Sequence, residues 1–157
     1  MKKILLVGLH DDDNLGDAII SDCTIALLNK ILGDLDIERL SLNEKNKLVK
    51  SNPVIFFISR CLSRLALYAG WFERLKHYIE LWYLLSLIKK SLSGFEAIVI
   101  GGGGLIKHKH QFFGTLMLAV TECAEKLQIP IYYNSVGIEG FKDDWKCGVL
   151  KHCLNNP

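Results

Sequence analysis

An apolar segment that runs into four consecutive glycines constrains the fold more than any other part of the sequence. Residues 97–100 are apolar and partly β-branched, and Gly101, Gly102, Gly103 and Gly104 follow them. A turn needs only one or two glycines, whereas a backbone that approaches a ligand closely benefits from several residues without a Cβ atom. The pattern predicts a parallel strand whose carboxyl end opens into a binding loop. A tight strand-to-helix turn is the alternative interpretation.

Strand-like and helix-like segments alternate along the chain, which indicates an α/β fold. The predicted strands are residues 3–8, 37–42, 96–100 and 130–136, and the predicted helices are residues 17–32, 111–127 and 143–154. Strands separated by helices form parallel sheets with right-handed crossovers. The sequence therefore predicts one Rossmann-like, doubly wound domain over residues 1–157.

Residues 53–92 interrupt this alternation. The segment begins at Ser51-Asn52-Pro53, which supplies a capping residue and a proline suited to a first helical turn. We predict an inserted apolar helical hairpin, with a short buried strand at residues 54–58 as the alternative. Residues 51–94 carry a net charge of +4, from six Lys and Arg against two Asp and Glu.

The aromatic residues of this insertion leave two uses open. They could pack against the sheet or a partner, or they could lie on a membrane surface, given the positive charge. The residues are Phe56, Phe57, Tyr68, Trp71, Phe72, Tyr78, Trp82 and Tyr83.

Composition excludes several classes of protein. The 157 residues suffice for one domain with its own core. A formal net charge of +2 gives no electrostatic basis for nucleic-acid binding. No apolar stretch free of charges approaches the roughly 18–20 residues of a membrane span. The five cysteines lack a C-x-x-C spacing, which favours free thiols in a reducing, cytoplasmic compartment.

Three glycine-bearing loops are expected to meet at one crevice. Ligands of open α/β sheets bind beyond the carboxyl ends of the strands, where the strand order reverses. The first strand and the strand before the glycine run are the expected neighbours at that point. Asn14, Gly16 and Asp17 would then face the glycines, with Gly137 alongside. Helix N-termini there suit an anionic or hydroxyl-rich ligand, although helix capping is the structural alternative for Asn14 and Asp17.

Standard nucleotide and metal motifs are weak or missing. Residues 8–16 match neither G-x-G-x-x-G nor the P-loop. The aspartates at 11–13 contain the D-x-D pattern of metal-dependent sugar transferases, but a solvated loop is the preferred interpretation. His108 and His110 could bind a metal ion, yet no third ligand is evident. We therefore expect no metal site, and we count His108 as a substrate-contacting residue.

Three motifs follow one another in a specific order. An opening strand precedes Asn14-Leu15-Gly16-Asp17, an apolar strand runs into the glycines at 101–104, and a later strand ends at Val136-Gly137. This order resembles the N-terminal half of the polysaccharide pyruvyl transferase family. The resemblance implies two Rossmann-like domains arranged as in GT-B glycosyltransferases, with the active site between them. It also implies transfer of pyruvate from phosphoenolpyruvate to a sugar hydroxyl of a polysaccharide or glycan precursor.

The resemblance further implies which part of the site this chain contains. Asn14, Gly16, Asp17 and the glycines at 101–104 would contact the saccharide acceptor. The basic residues that bind phosphoenolpyruvate would belong to a C-terminal donor-binding domain that these 157 residues do not contain. We therefore expect the isolated chain to be inactive, with phosphoenolpyruvate as donor substrate and no other cofactor. No catalytic residue is assigned.

Two departures from the family pattern leave the acceptor sugar open. The loop after Val136 lacks an expected proline, and the insertion at 53–92 is long and apolar. Two other functions stay possible on the sequence: a GT-B-like glycosyltransferase that uses a nucleotide-sugar, and a non-catalytic α/β scaffold subunit. The scaffold subunit would use residues 53–92 to contact a partner or a membrane, which corresponds to a cytoplasmic protein at the membrane periphery.

Overall fold

The computed structural model describes residues 2–10, 15–101, 106–107, 113–134, 136–139 and 144–155. Within these ranges every predicted strand and helix is present, with ends shifted by a few residues. In chain order the elements are β1 (Lys2–Gly8), α1 (Leu15–Leu32), β2 (Leu35–Ser41), a 3-10 turn (Leu42–Glu44), α2 (Lys45–Lys50), α3 (Pro53–Leu65), α4 (Trp71–Ser91), β3 (Ala97–Gly101), β4 (Ile106–Lys107), α5 (Gly114–Leu127), β5 (Ile131–Asn134), β6 (Ile138–Glu139) and α6 (Trp145–Asn155).

The main sheet is parallel, and its strand order reverses beside β1. In the described residues its order is β2-β1-β3-β5. Ile4 pairs with Ala97 and Val7 with Ile100, so β1 and β3 are direct neighbours. The predicted α/β sheet and this predicted neighbour relationship are both confirmed. In such sheets the reversal point between two strands is where ligands bind, beyond the carboxyl ends.

Helices cover both faces of the sheet, because alternate residues of β1 point in opposite directions. Leu5 and Val7 join a cluster that includes side chains of α4, α5 and α6. Ile4 and Leu6 face the opposite way and contact α1 through Ile25. A strand that is buried on both faces must be apolar throughout, which explains the uninterrupted apolar run of β1.

Helix α1 presents an unexpected face to the sheet. Its buried residues are Asp17, Ser21 and Thr24, whereas most apolar residues of its sequence pattern lie outward. Its half-buried Ile25 and Leu28 pack on the sheet. Apolar residues occur on several sides of this helix, so the sequence pattern did not identify which side meets β1. The large apolar residues of α1 with more than half of their surface exposed are Leu15, Ile19, Leu27, Ile31 and Leu32.

Helices α3 and α4 occupy the predicted insertion. The side-chain oxygen of Asn52 accepts hydrogen bonds from the backbone N–H groups of Val54 and Ile55, at 3.1 and 3.2 Å, and Pro53 begins α3. The helical interpretation of residues 54–58 is therefore correct and the alternative strand is wrong. The interior of the insertion is more polar than predicted, because buried positions include polar and charged residues: Ser59, His77 and Glu80.

The aromatic residues of the insertion do not form a core against the sheet. Helix α4 packs through aliphatic residues of its C-terminal half, among them Leu84 and Ile88. Five of the eight rings are exposed and none belongs to the core cluster, so packing of the whole group against the sheet is a wrong expectation. Contact with a partner or a membrane stays a prediction. Phe56, Phe72 and Tyr83 are half-buried, and Phe57, Tyr68, Trp71, Tyr78 and Trp82 are exposed.

Two features of the fold have no counterpart in the predictions. Residues 43–46 belong to the 3-10 turn and to α2, which are anchored by buried Leu42 and Val49. Strands β4 and β6 form a separate parallel pair in which Ile106 is opposite Ile138. Strands of two residues carry too few side chains to leave a periodic signal in the sequence.

Two glycines allow neighbouring strands to approach at the reversal point. A Cβ atom at Gly8 would overlap the carbonyl oxygen of Gly101, and a Cβ atom at Gly101 would lie 2.8 Å from the carbonyl oxygen of Asn134. Backbone atoms of paired strands can move apart only at a large cost in free energy. The packing of the strands is therefore sufficient to explain why residue 101 is glycine, whether or not a ligand also contacts it.

The remaining sequence expectations concern thiols and membrane spans. All five cysteines are free thiols, as predicted. Within the described part of the chain, no helix combines the length and the apolar character that crossing a membrane requires.

Replacement of Gly8 by alanine should destabilise the protein. We expect the free energy of unfolding to fall by on the order of 1–3 kcal/mol, because the added methyl group meets the backbone of β3. Gly148→Ala in α6 is the matched control: its Cβ atom would meet nothing within 4 Å, and alanine favours a helix by about 0.5–1 kcal/mol over glycine. Urea unfolding followed by circular dichroism measures both, and a Gly8→Ala variant as stable as the wild type would contradict the prediction.

Candidate functional site

The carboxyl edge of the sheet brings together residues from distant parts of the sequence. β1 and β3 end side by side at Gly8 and Gly101. Helix α1 starts at Leu15, so Gly16 and the buried Asp17 lie in its first turn. The carboxylate of Asp17 complements the positive end of the helix dipole. The relation between these elements is as predicted, whereas ligand binding by Gly16, Asp17 and Gly101 stays a prediction.

Several predicted site residues lie outside the described residues. They are Asn14, Gly102, Gly103, Gly104 and His108, together with the aspartates at 11–13 and His110. Their proposed contacts with a substrate therefore stay predictions. Gly137 is described and half-buried, and it lies between β5 and β6.

A polar strip on α1 faces the same edge. Asp17, Ser21 and Thr24 are buried at helical spacing, and Thr24 donates a hydrogen bond of 2.8 Å from Oγ1 to the carbonyl oxygen of Ile20. Asn134, opposite Gly101 at the end of β5, donates from Nδ2 to Thr24 Oγ1 at 3.5 Å. The buried Ser21 hydroxyl has no hydrogen-bond partner among the described residues. Hydroxyl and amide groups of this kind suit a hydroxyl-rich ligand.

The polar strip could have been recognised from spacing. Asp17, Ser21 and Thr24 are separated by four and three residues, so they share one helix face. Only Asp17 of the three is a predicted site residue, because apolar residues on several sides of α1 left its buried face unidentified.

A cavity of about 280 Å³ lies close to the same edge of the sheet. Its walls come from the segment after β2, from the N-terminal half of α4, and from the first residues of α5 and α6. Segments that follow strands, and starts of helices that follow strands, lie at the carboxyl end of a parallel sheet. The lining residues are Leu42, Asn43, Lys45, Asn46, Glu73, Lys76, His77, Glu80, Phe113, Thr115 and Trp145.

Glu80 is the most deeply buried carboxylate that lines this cavity. Only 3% of its surface is exposed. Its Oε2 accepts a hydrogen bond from Lys45 Nζ at 3.1 Å, and its Oε1 accepts one from the hydroxyl of Ser59. Lys76 Nζ lies 3.8 Å from the same carboxylate. A buried carboxylate is tolerated only when it is paired and hydrogen-bonded in this way.

His77 lies one helical turn before Glu80 and is also buried, with 4% of its surface exposed. Its Nδ1 is 2.9 Å from the hydroxyl oxygen of Thr115 on α5, and its ring centre is 5.0 Å from the ring of Trp145. Burial, followed by the charge of Lys45, lowers the pKa of His77 to about 4. The imidazole is therefore neutral at pH 7, with one N–H donor and one acceptor nitrogen.

The cavity was missed by sequence reasoning because its walls are distant in sequence. His77 and Glu80 lie in the predicted insertion and are not among the predicted site residues. Their spacing of three residues on one helix face was the available signal. Nothing in the sequence could have indicated that Thr115 and Trp145 meet that face, because this contact depends on how α5 and α6 pack.

One further cluster has the composition of a metal site. Ligand atoms of Glu122, Glu125 and His152 lie within 4.8 Å of one another on α5 and α6. His152 Nε2 is 3.0 Å from Glu122 Oε1, and Lys126 Nζ is 3.8 Å from Glu122 Oε2. These pairs are solvent-accessible, and surface ion pairing accounts for the cluster without a metal ion.

Comparison with known proteins adds a family assignment to this geometry. A family model described as polysaccharide pyruvyl transferase matches residues 14–157. The match includes α1, the glycine run, the cavity and all elements after them. No curated protein sequence matches the chain.

Acid should destabilise the protein through His77. Because folding lowers the pKa of His77 from 6.5 to about 4, the unfolded chain binds more protons between these pH values. Stability is therefore lost as the pH falls through this window, by about 2 kcal/mol between pH 7 and pH 5. Urea unfolding at the two pH values measures the loss.

The variant His77→Gln should lack the part of the pH dependence of stability that comes from His77. Ser86→Ala, at an exposed position of the same helix, is the matched control and should keep the wild-type pH dependence, because it removes no titratable group. An equal pH dependence in His77→Gln and the wild type would contradict the assignment to His77.

Proposed function

The chain belongs to the polysaccharide pyruvyl transferase family, and from this membership we propose that it serves the transfer of pyruvate from phosphoenolpyruvate to a sugar hydroxyl of a polysaccharide or glycan precursor. The observation that supports this most directly is the pairing of β1 with β3. It brings the first turn of α1 and the start of the glycine run to one edge of a parallel sheet, where a hydroxyl-rich ligand is expected.

We propose that this chain is the acceptor-side half of the active site. It would be one Rossmann-like domain of a GT-B-like pair, and the residues that bind phosphoenolpyruvate would lie in a second, C-terminal domain. Helices on both faces of the sheet support the Rossmann-like description. The neutral balance of charge in the cavity supports an acceptor role, because a site for a trianionic donor would need an excess of cations.

The proposed reaction consumes phosphoenolpyruvate and two sugar hydroxyls, and it yields a ketal and phosphate. Protonation of the enol carbon makes the adjacent carbon oxocarbenium-like, and a sugar oxygen attacks it and releases its proton. The C–O bond to phosphate then breaks, and a second hydroxyl closes the ketal and releases the second proton. A general base near the acceptor would take these protons, and helix N-termini and cations would stabilise the departing phosphate.

In this scheme the groups near β1 and β3 orient the acceptor. Asp17, Gly16 and Asn14 would hydrogen-bond sugar hydroxyls, and the backbone of Gly102, Gly103 and Gly104 would approach the ring closely. His108 and Gly137 would complete the wall of the site. A nucleotide-sugar-dependent glycosyltransferase would use the same edge of the sheet, and calorimetry with phosphoenolpyruvate and with nucleotide-sugars separates the two donors.

Replacement of Asp17 by asparagine should lower acceptor use. We expect kcat/KM for the saccharide to fall about 10- to 100-fold, the range for loss of a hydrogen bond to a charged group. Asp22→Asn is the matched control on the same helix: Asp22 is exposed and pairs with Arg39 at 2.7 Å, so activity should stay within about twofold. Phosphate release and the methyl resonance of the ketal measure turnover.

The assay is run on a form of the protein that contains the second domain, and the 157-residue chain is tested beside it. The chain alone should release no phosphate above background. Full turnover by the chain alone would contradict the two-domain proposal, and equal activity of Asp17→Asn and Asp22→Asn would contradict the role of Asp17.

A second candidate function is supported by the surface of the insertion. Helix α4 exposes Trp71, Tyr78 and Trp82 along one side, and Lys89 and Lys90 follow at its end. Exposed aromatic and basic residues on one helix suit the surface of an anionic membrane. A scaffold subunit at the cytoplasmic membrane face would use them, and the free thiols support a reducing compartment.

The membrane function predicts sedimentation of the protein with vesicles that contain anionic lipid. Trp82→Ser combined with Tyr78→Ser should abolish sedimentation, because the aromatic side of α4 is removed. Leu27→Ser combined with Ile31→Ser on the exposed side of α1 is the matched control and should not. Retention of binding in the α4 variant, or absence of wild-type binding, would contradict this function.

A further inference from the structure

The cavity beside α4 has the construction of a small-molecule site. Its volume of about 280 Å³ is close to the lower limit of roughly 300–1,000 Å³ for ligand pockets. Buried polar side chains from separate elements line it, among them His77 and Glu80 of α4 and Thr115 of α5. Their positions are set before any ligand arrives, because each is held by contacts within the protein.

The charges that line the cavity are balanced. Lys45 and Lys76 both face the carboxylate of Glu80, at 3.1 and 3.8 Å. Glu73 contacts Lys146, which is adjacent to the lining, at 2.7 Å. The lowered pKa of His77 leaves its imidazole neutral at pH 7. An anionic ligand would have to compete with the existing ion pairs, whereas hydroxyl groups can add hydrogen bonds to them.

The remaining walls combine an aromatic ring with amide groups. Trp145, at the start of α6, lies at an interplanar angle of 56° to the ring of His77, so the two rings form a corner. The amides of Asn43 and Asn46, in the segment after β2, also line the cavity. An aromatic face gains dispersion energy from the C–H face of a sugar ring, and amides bind hydroxyls as both donors and acceptors.

We propose that this cavity is a subsite for an uncharged saccharide ring. Trp145 and His77 would bound the apolar face of the ring, and Asn43, Asn46 and the ion-paired lysines would bind its hydroxyls. The assignment of this ring to the acceptor of pyruvyl transfer rests on the proposed function. Binding of the ring rests only on the cavity. The subsite is separate from the contacts predicted at Asn14 and Asp17.

Tryptophan fluorescence tests the subsite directly. In a Trp71→Phe, Trp82→Phe background, Trp145 is the remaining tryptophan of the sequence and reports on the cavity. Glucose and N-acetylglucosamine should change its emission with saturation in the millimolar range. Phosphoenolpyruvate and glucose 6-phosphate should bind more weakly than the uncharged sugars.

A variant of the lining separates this site from non-specific quenching. Asn46→Ala should weaken sugar binding about three- to tenfold through loss of hydrogen bonds. Lys47→Ala, next to it on α2 and outside the lining, should bind as the background protein does. An unchanged emission with sugars, tighter binding of the anions, or equal titrations of Asn46→Ala and Lys47→Ala would overturn the proposal.

The subsite and the proposed function can be contradicted separately. Saturable sugar binding in the cavity without pyruvyl transfer would remove the acceptor role and leave the subsite. Pyruvyl transfer by a protein whose cavity shows no sugar binding would remove the subsite and leave the transferase. Isothermal titration calorimetry of the same variants provides a measurement that does not depend on Trp145.

Discussion

The close approach of β1 and β3 is the constraint on which the rest of the structure depends. Gly8 lies against the carbonyl oxygen of Gly101, and Gly101 lies against Asn134 of β5. Three parallel strands can then end together without side chains between their backbones. The segments that follow them start at one edge of the sheet, which is where the polar strip of α1 and the polar cavity beside α4 lie. A side chain at either glycine would separate the strand ends that define this edge.

Burial of charge in α4 is the second organising interaction. The carboxylate of Glu80 links α4 to α2 through Lys45 and to α3 through Ser59. His77 links α4 to α5 through Thr115. An unpaired charge at this depth would cost several kcal/mol, so the four helices must keep their positions relative to one another. The same requirement keeps the cavity open and polar, since its lining groups are held by one another.

Much of the fold could be predicted from the sequence, and less of the site. Strands β1 and β3 were recognisable because burial on both faces demands uninterrupted apolar residues, and α3 was recognisable because a capping residue and Pro53 mark its start. The inner face of α1 was not recognisable, since its apolar residues surround the helix and packing selected the side with Asp17 and Ser21. Membership of the pyruvyl transferase family was indicated by the order of the motifs alone, because that order can be recognised in the sequence without knowing how the helices and strands pack.

The sequence by itself determined the alternation of strands and helices, the neighbouring of β1 and β3, and the family. These follow from local periodicity, glycine chemistry and motif order, which act over short stretches of chain. Only the tertiary structure decided that His77, Glu80 and Trp145 share a cavity, and that aromatic residues of the insertion lie outside the core. Those outcomes depend on which helix faces pack together. The free energy that favours one packing over another comes from many contacts between segments distant in sequence.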